Sequence, residues 1–245
     1  MHAWRAAALP RSLGRPLPLR WVRHQVCGDA GSLRAVTRPD VLHRPQLLGL
    51  RRRAAFGACG LRPAVAQHSQ AEAALLQQHA AGAHTIVELG VAEGGSALEL
   101  RQVMDSGGEL VLVDPYDRGP LGISFSQLVA RRTVGRCATG TVTWIRATSS
   151  EAARRWRRDI DFLFIDADHA LDAVRQDWQL WAPRVRVGGC VALHDARTDP
   201  GGWSGDRAWI TSAAGPVVLS DAVRLDDAWE LAGEVETTVV FRRRS

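Results

Sequence analysis

The segment 85–96, with the sequence TIVELGVAEGGS, constrains the fold of this chain more than any other stretch. Residues 86–89 form a short, mostly apolar run of the kind that is buried in a parallel sheet. Three glycines follow within the next six residues: Gly90, Gly94 and Gly95. Glycine lets the backbone turn tightly and approach a ligand closely. A strand, a glycine turn and a helix in direct succession predict an α/β fold with a ligand site at the turn.

The chemistry of this turn indicates which ligand it holds. The spacing is not the G-x-G-x-x-G of a dinucleotide site, and Glu88 stands two residues before Gly90. A carboxylate there would repel a pyrophosphate, whereas S-adenosylmethionine (SAM) carries an ammonium, a sulfonium and no phosphate. The turn therefore favours SAM, and a side chain at Gly90 is expected to fill ligand space while the fold survives. A strand-to-helix corner without a ligand is the alternative.

Length and charge divide the chain into two parts. With 245 residues, 46% of them hydrophobic, it can form one α/β domain with a sizeable core. Residues 1–62 hold 12 Arg and only two acids, are interrupted by prolines and show no period, so we expect a mostly disordered arm. A weak tether to RNA or acidic lipid is the alternative for this arm. Residues 63–245 are mildly acidic and form the expected domain, so nucleic-acid binding is not inferred from the total charge of +5.

The cysteines and the hydropathy indicate a compartment. The four cysteines form no C-x-x-C pair and no metal-type spacing with histidine. A reduced, cytoplasmic protein is the simplest interpretation. No apolar run approaches the ~20 residues that span a bilayer, so no membrane span is expected.

The remaining periodicities predict alternating helices and strands. Ser69 and Glu72 form a capping box that starts a helix over 69–81, before the first strand. Later strands are expected at 110–113, 142–145, 162–165 and 190–193. The Gly188-Gly189 pair is expected to be the turn that leads into the last of these. A helix at about 216–223 and a hairpin of 229–232 with 237–242 complete the prediction.

Polar residues and one glycine follow four of the predicted strands. They are Gly90 after the first strand, Asp114 after the second, Asp166 after the fourth, and His194 with Asp195 after the fifth. In an open α/β sheet, ligands lie beyond the carboxyl ends of parallel strands. Asp114 lies near the offset of about 20 residues at which an acid binds the ribose hydroxyls. An Asp that only caps the loop before a proline is the alternative.

Five motifs carry a resemblance to a known family. They are VELGVAEGGSA at 87–97, VDPYD at 113–117, FIDADH at 164–169, VGG at 187–189 and HD at 194–195. Over about residues 65–245 the chain resembles the class I SAM-dependent methyltransferases. More narrowly, it resembles the small-molecule O-methyltransferase group that includes macrolide-sugar O-methyltransferases and cephalosporin-hydroxylase-like proteins. The resemblance implies a Rossmann-like, seven-stranded, mostly parallel sheet with helices on both faces and a reversed C-terminal strand.

The resemblance also implies roles for individual residues. It implies that SAM is bound by the first two motifs and their neighbours: Glu88, Gly90, Gly94, Gly95, Ser96, Asp114, Ser149 and Asp166. In metal-dependent members, acids at the positions of Asp166, His194 and Asp195 hold Mg²⁺, and a histidine at the position of His169 is the base. Histidine at 194 departs from this pattern because Mg²⁺ prefers oxygen.

The departure at His194 leaves several interpretations open. Asp166 and Asp195 could bind Mg²⁺ alone, or an ion that tolerates imidazole, such as Mn²⁺, could use all three residues. His194 could instead be a core histidine, and His169 could be a structural residue in the first turn of the next helix.

The function predicted from these features is methyl transfer from SAM to a hydroxyl of a small molecule, such as a sugar, a natural product or a phenol. Two alternatives stay open: a non-catalytic SAM- or nucleotide-binding module, and an NAD-dependent oxidoreductase, which Glu88 and the missing G-x-G-x-x-G disfavour. Acceptor specificity is expected to lie in the loops 117–126 and 196–209 and in the arm. The acceptor itself and a homo-oligomeric state are left open.

Overall fold

The computed structural model describes residues 41–43, 63–117, 122–198 and 210–245. Most of the arm predicted at 1–62 lies outside the described residues. Its residues 41–43 form a strand, β1 (Val41–His43), which pairs in parallel with β2 (Ala64–Ala66). No strand is predicted there from the sequence, because a three-residue run is too short to show a period.

The central layer is a seven-stranded sheet that follows the predicted fold class. Its strands are β3 (Thr85–Leu89), β4 (Glu109–Val113), β5 (Thr141–Ile145), β6 (Ile160–Ile165), β7 (Val185–Leu193), β8 (Trp229–Val235) and β9 (Thr238–Arg243). They are ordered β5-β4-β3-β6-β7-β9-β8. Pairing is parallel from β5 to β7, while β9 runs antiparallel to both β7 and β8. The reversed C-terminal strand, β9, and the hairpin that it forms with β8 are therefore confirmed.

Helices pack on both faces of this sheet. They are α1 (Gln70–Ala80), α2 (Gly95–Val103), α3 (Phe125–Val134), α4 (Ser149–Ala153), α5 (Leu171–Trp181) and α6 (Gly215–Val223), with a 3-10 turn at Ala182–Arg184. Neighbouring strand residues point to opposite faces, so Ile86 joins a core with α1, α2 and α3 whereas Val87 joins a core with α4, α5 and α6. Among the described helices, none combines the length and the apolar character that a membrane span requires.

One strand begins earlier than the sequence predicts. The expected strand 190–193 is the second half of β7, and the glycine pair lies inside the strand instead of before it. Gly188 has a φ of +81°, and the pairing of β7 with β6 changes register between Ile160 and Phe162. An irregular glycine position of this kind bends a strand without ending it. The predicted turn at 188–189 is therefore wrong.

Candidate active site

The glycine turn after β3 lets neighbouring segments approach closely. Gly90 has a φ of +83°, and a Cβ there would lie 2.0 Å from the backbone oxygen of Asp166. Gly94, with a φ of +77°, caps the N-terminus of α2. A Cβ on Gly95 would lie 2.8 Å from the Cβ of Ala66. The turn therefore brings the ends of β3 and β6, and the short strand β2, around one point.

The carboxylate of Asp114, at the end of β4, fixes the shape of this turn. Its Oδ2 accepts hydrogen bonds from the backbone N–H groups of Val91 at 2.9 Å and Ala92 at 3.1 Å. Its Oδ1 accepts a bond of 2.7 Å from the N–H of Tyr116. Because each carboxylate oxygen has two lone pairs, Oδ1 retains acceptor capacity. Asp114 thus caps the loop, as the alternative held, and remains able to bind a ligand hydroxyl.

A cavity of about 530 Å³ lies beyond the carboxyl ends of these strands. Its size is in the usual range for small-molecule and cofactor sites. The structure brings most of the predicted site residues to its wall: Gly90, Gly95, Ser96, Asp114, Ser149, Asp166 and His169. Glu88, Gly94, His194 and Asp195 do not line the cavity. Asp117, Ser124 and Ser126 of the loop 117–126 line a smaller pocket that shares Ala92, Asp114 and Pro115 with this cavity. Residues 118–121 of that loop, and 199–209 of the other predicted specificity loop, lie outside the described residues.

Glu88 lies behind the wall of the cavity. It is 0% exposed, and its carboxyl accepts a hydrogen bond from the hydroxyl of Ser96, which does line the cavity. Burial raises the pKa of Glu88 well above its usual value, and the nearby charge of Asp166 adds to this effect. A raised pKa favours the neutral carboxyl, which weakens the electrostatic reason for placing Glu88 beside a cationic ligand. Glu88 could therefore affect a bound ligand only indirectly, by orienting the hydroxyl of Ser96.

Four side chains from the ends of β6 and β7 converge at one point. They are Asp166, His169, His194 and Asp195, and we call them the Asp/His cluster. One potential ligand atom from each lies within 4.8 Å of the others. Nδ1 of His194 is 3.0 Å from Asp166 Oδ1 and 3.4 Å from Asp195 Oδ2. Nε2 of His169 is 3.3 Å from Asp195 Oδ2 and 3.8 Å from Asp166 Oδ1.

The two carboxylates favour positive charge at this point. Burial alone would lower the pKa of His194, but Asp166 and Asp195 raise it well above the usual value. The hydrogen bond to Asp195 raises the pKa of His169 against the effect of burial. Burial opposes the ionisation of Asp166, yet the charge and hydrogen bond of His194 hold its pKa below the usual value. A site that stabilises a proton in this way can exchange it for a metal ion.

The geometry of the Asp/His cluster fits a divalent ion. Ligand atoms about 2.1 Å from an octahedral ion lie ~3 Å apart, close to the spacing between His194 Nδ1 and the two aspartates. Asp195 has a φ of +50°, which is uncommon outside glycine and occurs preferentially at functional sites. The predicted ligands Asp166, His194 and Asp195 are therefore together, and they share the site with His169.

Sequence reasoning missed several residues around the site. His68 lines the cavity, is 1% exposed and lies 2.6 Å from Oε2 of Glu99 through its Nε2. Nothing in the sequence spacing connects these two residues. Glu72 was identified only as half of a capping box, which the structure confirms. Its carboxylate also reaches Thr237, in the turn between β8 and β9, which no local pattern could indicate.

Comparisons with known proteins agree with this architecture. Residues 87–196 match a protein family described as "Methyltransferase domain". An O-methyltransferase from Bacillus cereus in complex with S-adenosylhomocysteine (SAH) is 17% identical, over 80% of this chain and 90% of that one, with a TM-score of 0.54. The O-methyltransferase TomG from Streptomyces achromogenes, involved in tomaymycin synthesis and solved with SAM, is 16% identical, over 82% and 92%, with a TM-score of 0.55.

A third solved structure is described as an rRNA methylase. It comes from Streptococcus thermophilus and is 12% identical, over 71% of this chain and 96% of that one, with a TM-score of 0.50. Similarity at this level establishes the fold and leaves the acceptor open.

The sheet order, the glycine turn at the carboxyl end of β3 and the cavity beside it define a Rossmann-like α/β protein with a ligand site at its strand ends. More particularly, residues 87–196 match a methyltransferase domain, and the sheet has the class I SAM-dependent methyltransferase fold.

Proposed function

We propose that the chain transfers the methyl group of SAM to a hydroxyl of a small molecule such as a sugar, a natural product or a phenol. The observation that carries this proposal is that the glycine turn and the Asp/His cluster open into one cavity through Asp166 and His169. Cofactor and acceptor can therefore meet there. The similar O-methyltransferases solved with SAH or SAM support the same assignment.

The glycine turn and its neighbours would hold the cofactor. SAM supplies the methyl group as an electrophile on its sulfonium. Asp114 would accept hydrogen bonds from the ribose hydroxyls, and Ser96 and the glycine turn would contact the remainder. Ser149 is fixed beside the cavity because its hydroxyl donates to Asp177, while Trp181 Nε1 lies 3.0 Å from its Oγ. The cofactor would thus be bound by residues that follow β3 and β4 and by residues of α2 and α4.

His169 is proposed as the general base. Its side chain is 33% exposed and lines the cavity, whereas that of His194 is 2% exposed and lies behind the wall. A base must reach the acceptor proton, while a metal ligand need not touch the acceptor. Oδ2 of Asp195, 3.3 Å from Nε2 of His169, would orient the imidazole.

Asp166, His194 and Asp195 are proposed to hold a divalent ion, either Mg²⁺ or Mn²⁺. When bound, the ion would lower the pKa of the acceptor hydroxyl and fix its oxygen in place. Asp166 is well placed for this because it faces the cavity and also contacts His194.

The acceptor is proposed to be a small molecule and not a nucleic acid. The cavity is of small-ligand size, and the domain that forms it is mildly acidic, which disfavours a polyanion.

We further propose that this domain spans 63–245, that 1–62 is an arm outside it, and that the protein acts in the cytoplasm.

Calorimetry with SAM, SAH and NAD tests the proposal against its alternatives. SAM and SAH are expected to bind and NAD is not. Labelled SAM and a panel of hydroxylated small molecules then separate an enzyme from a non-catalytic module. Binding of NAD without SAM would require an oxidoreductase, and SAM binding without transfer to any acceptor would favour the module.

The variant Asp114→Ala is expected to weaken SAM binding strongly. It removes the acceptor for the ribose hydroxyls and releases the N–H groups of Val91 and Ala92. Hydrogen bonds to charged groups contribute about 1.5–3 kcal/mol, so a loss of roughly 10- to 100-fold in affinity should be measured by calorimetry. Asp105→Ala, which removes an exposed aspartate at the opposite edge of the sheet, is the control. Equal affinity in the two variants would place the ribose elsewhere.

Removal of divalent ions is expected to abolish most of the transferase activity while SAM still binds. The ion would act on the acceptor hydroxyl, whereas the glycine turn and Asp114 would hold SAM, so only the transfer step should require the metal. Activity should be measured after EDTA treatment and again after addition of Mg²⁺ or Mn²⁺. Full activity in EDTA would remove the metal from the mechanism.

A further inference from the structure

A buried carboxylate stands behind the Asp/His cluster and comes from a different part of the fold. Glu72 lies in the first turn of α1 and is 0% exposed. Its Oε1 is 3.8 Å from Nε2 of His194, while Nδ1 of the same ring is 3.0 Å from Asp166. The imidazole of His194 therefore lies between Glu72 and the two aspartates of the cluster.

Glu72 is fixed in this position by donors from two segments. Oε2 accepts the backbone N–H of Ser69 at 2.8 Å. Oε1 accepts the hydroxyls of Thr237 at 2.7 Å and Thr238 at 3.0 Å, and the backbone N–H of Thr237 at 3.2 Å. Four hydrogen bonds hold this buried carboxylate, and movement of Glu72 would leave their donors unsatisfied.

The same contacts connect Glu72 to a second member of the cluster. The hydroxyl of Thr237 lies 3.1 Å from Oδ1 of Asp195 as well as 2.7 Å from Glu72. Asp195 has a φ of +50°, a strained backbone conformation that persists only where surrounding contacts hold it. Glu72 is thus next to His194 directly and next to Asp195 through one hydroxyl.

A helix cap does not require this arrangement. Capping boxes use a glutamate or glutamine at the third helical position, and only Oε2 of Glu72 contributes to that role. Oε1, with its threonine donors and its approach to His194, is left unexplained by capping. Metal-ligating histidines, in contrast, usually face a carboxylate with their other ring nitrogen, which fixes the tautomer and the direction of the ring.

We propose that Glu72 is a positioning residue for a metal site: it orients His194 so that Nδ1 faces Asp166 and Asp195, and the site thereby selects a transition-metal ion over Mg²⁺. An imidazole nitrogen held among two carboxylates suits ions such as Mn²⁺ or Co²⁺, whereas Mg²⁺ prefers an all-oxygen set. This inference rests on the proposed function only in requiring that the Asp/His cluster bind a divalent ion.

Titration of the metal-free full chain with Co²⁺, followed by visible absorption and calorimetry, tests the inference. Wild-type protein is expected to bind one Co²⁺ more tightly than Mg²⁺. Loss of a residue that orients a ligand typically costs about 10- to 100-fold in metal affinity, so Glu72→Gln should weaken Co²⁺ binding by that factor. SAM affinity should be unchanged, because Glu72 acts on His194, which lies behind the wall of the cavity.

The matched control is Glu109→Gln, the same substitution at a carboxylate at the start of β4 that accepts a hydrogen bond from Thr143 and pairs with Arg158. It should leave Co²⁺ affinity unchanged. If Glu72→Gln does not fold, Thr237→Val removes the hydroxyl between Glu72 and Asp195 and should also weaken Co²⁺ binding. The inference is overturned if the Glu72 variant binds Co²⁺ like wild type, if both glutamate variants lose affinity equally, or if wild-type protein prefers Mg²⁺ or binds no Co²⁺.

SAM calorimetry on the same samples separates this inference from the proposed function. If wild-type protein binds SAM but does not prefer Co²⁺ to Mg²⁺, only the proposed role of Glu72 is contradicted. If wild-type protein does not bind SAM, the proposed function is contradicted.

Discussion

Gly90→Val is expected to destabilise the whole domain and not only the ligand site. Its Cβ would lie 2.0 Å from the backbone oxygen of Asp166 and 2.9 Å from the Cα of Ala167. Both neighbours are backbone atoms at the end of the adjacent strand, so the sheet itself would have to shift. Overpacking costs about 1–3 kcal/mol or more, and a left-handed backbone costs a branched residue roughly 1–2 kcal/mol in addition.

The expected result is a melting temperature lower by about 10 °C, or a loss of soluble protein, since each kcal/mol corresponds to roughly 2–4 °C for a chain of this size. Thermal unfolding followed by circular dichroism measures the change. Loss of SAM binding should accompany it, because the turn that carries the cofactor contacts is the element displaced.

Gly82→Ala separates the clash from backbone strain. Gly82 has a φ of +72°, close to that of Gly90, but nothing lies within 4 Å of its added Cβ. Gly82→Ala should therefore show only the strain of roughly 1–2 kcal/mol, and Gly90→Ala should be distinctly worse. Equal stability of these two alanine variants would show that the ends of β3 and β6 do not need to approach so closely.

The sequence explains the local structure of the turn at Gly90 but not the tertiary contact that requires the glycine. The strand, the turn and the helix were all predictable, because apolar runs and glycine spacing report local structure. The reason why a glycine is needed at position 90 was not predictable. From the sequence, a side chain there was expected to fill ligand space while the fold survived. The atom it would strike belongs to Asp166, which is distant in sequence and becomes a neighbour only through the pairing of β3 with β6.

The Asp/His cluster was predictable for a different reason. Its members follow the ends of two strands that are adjacent in the sheet, and the rule that parallel strands present their carboxyl ends at one edge is enough to bring them together. Glu72 and Thr237 follow no such rule. They meet because α1 packs against the C-terminal hairpin, and that packing depends on the complete fold. The residues that form the cluster could therefore be predicted from the sequence, whereas the residues that orient it could not.

His169→Ala is expected to lower kcat by about 10²–10⁴-fold, the usual contribution of a positioned base. Methyl transfer is an in-line displacement, and the acceptor oxygen must lose its proton as the new bond forms. The imidazole of His169 lines the cavity and is held by Asp195, 3.3 Å from its Nε2, so its other ring nitrogen is the one that would receive that proton. Single-turnover kinetics with a hydroxylated acceptor and labelled SAM would measure the loss, and SAM affinity should remain close to that of wild type.

The same variant decides between a base and a fourth metal ligand, because His169 also belongs to the Asp/His cluster. A base is expected to leave Co²⁺ affinity nearly unchanged and to remove the rise of kcat with pH that deprotonation of an imidazole produces. A ligand would lower metal affinity together with kcat. His84→Ala is the control, since this histidine has a 67% exposed side chain that pairs with Asp105, away from the cavity. Near-wild-type turnover in His169→Ala, with the pH dependence intact, would assign the proton to another group.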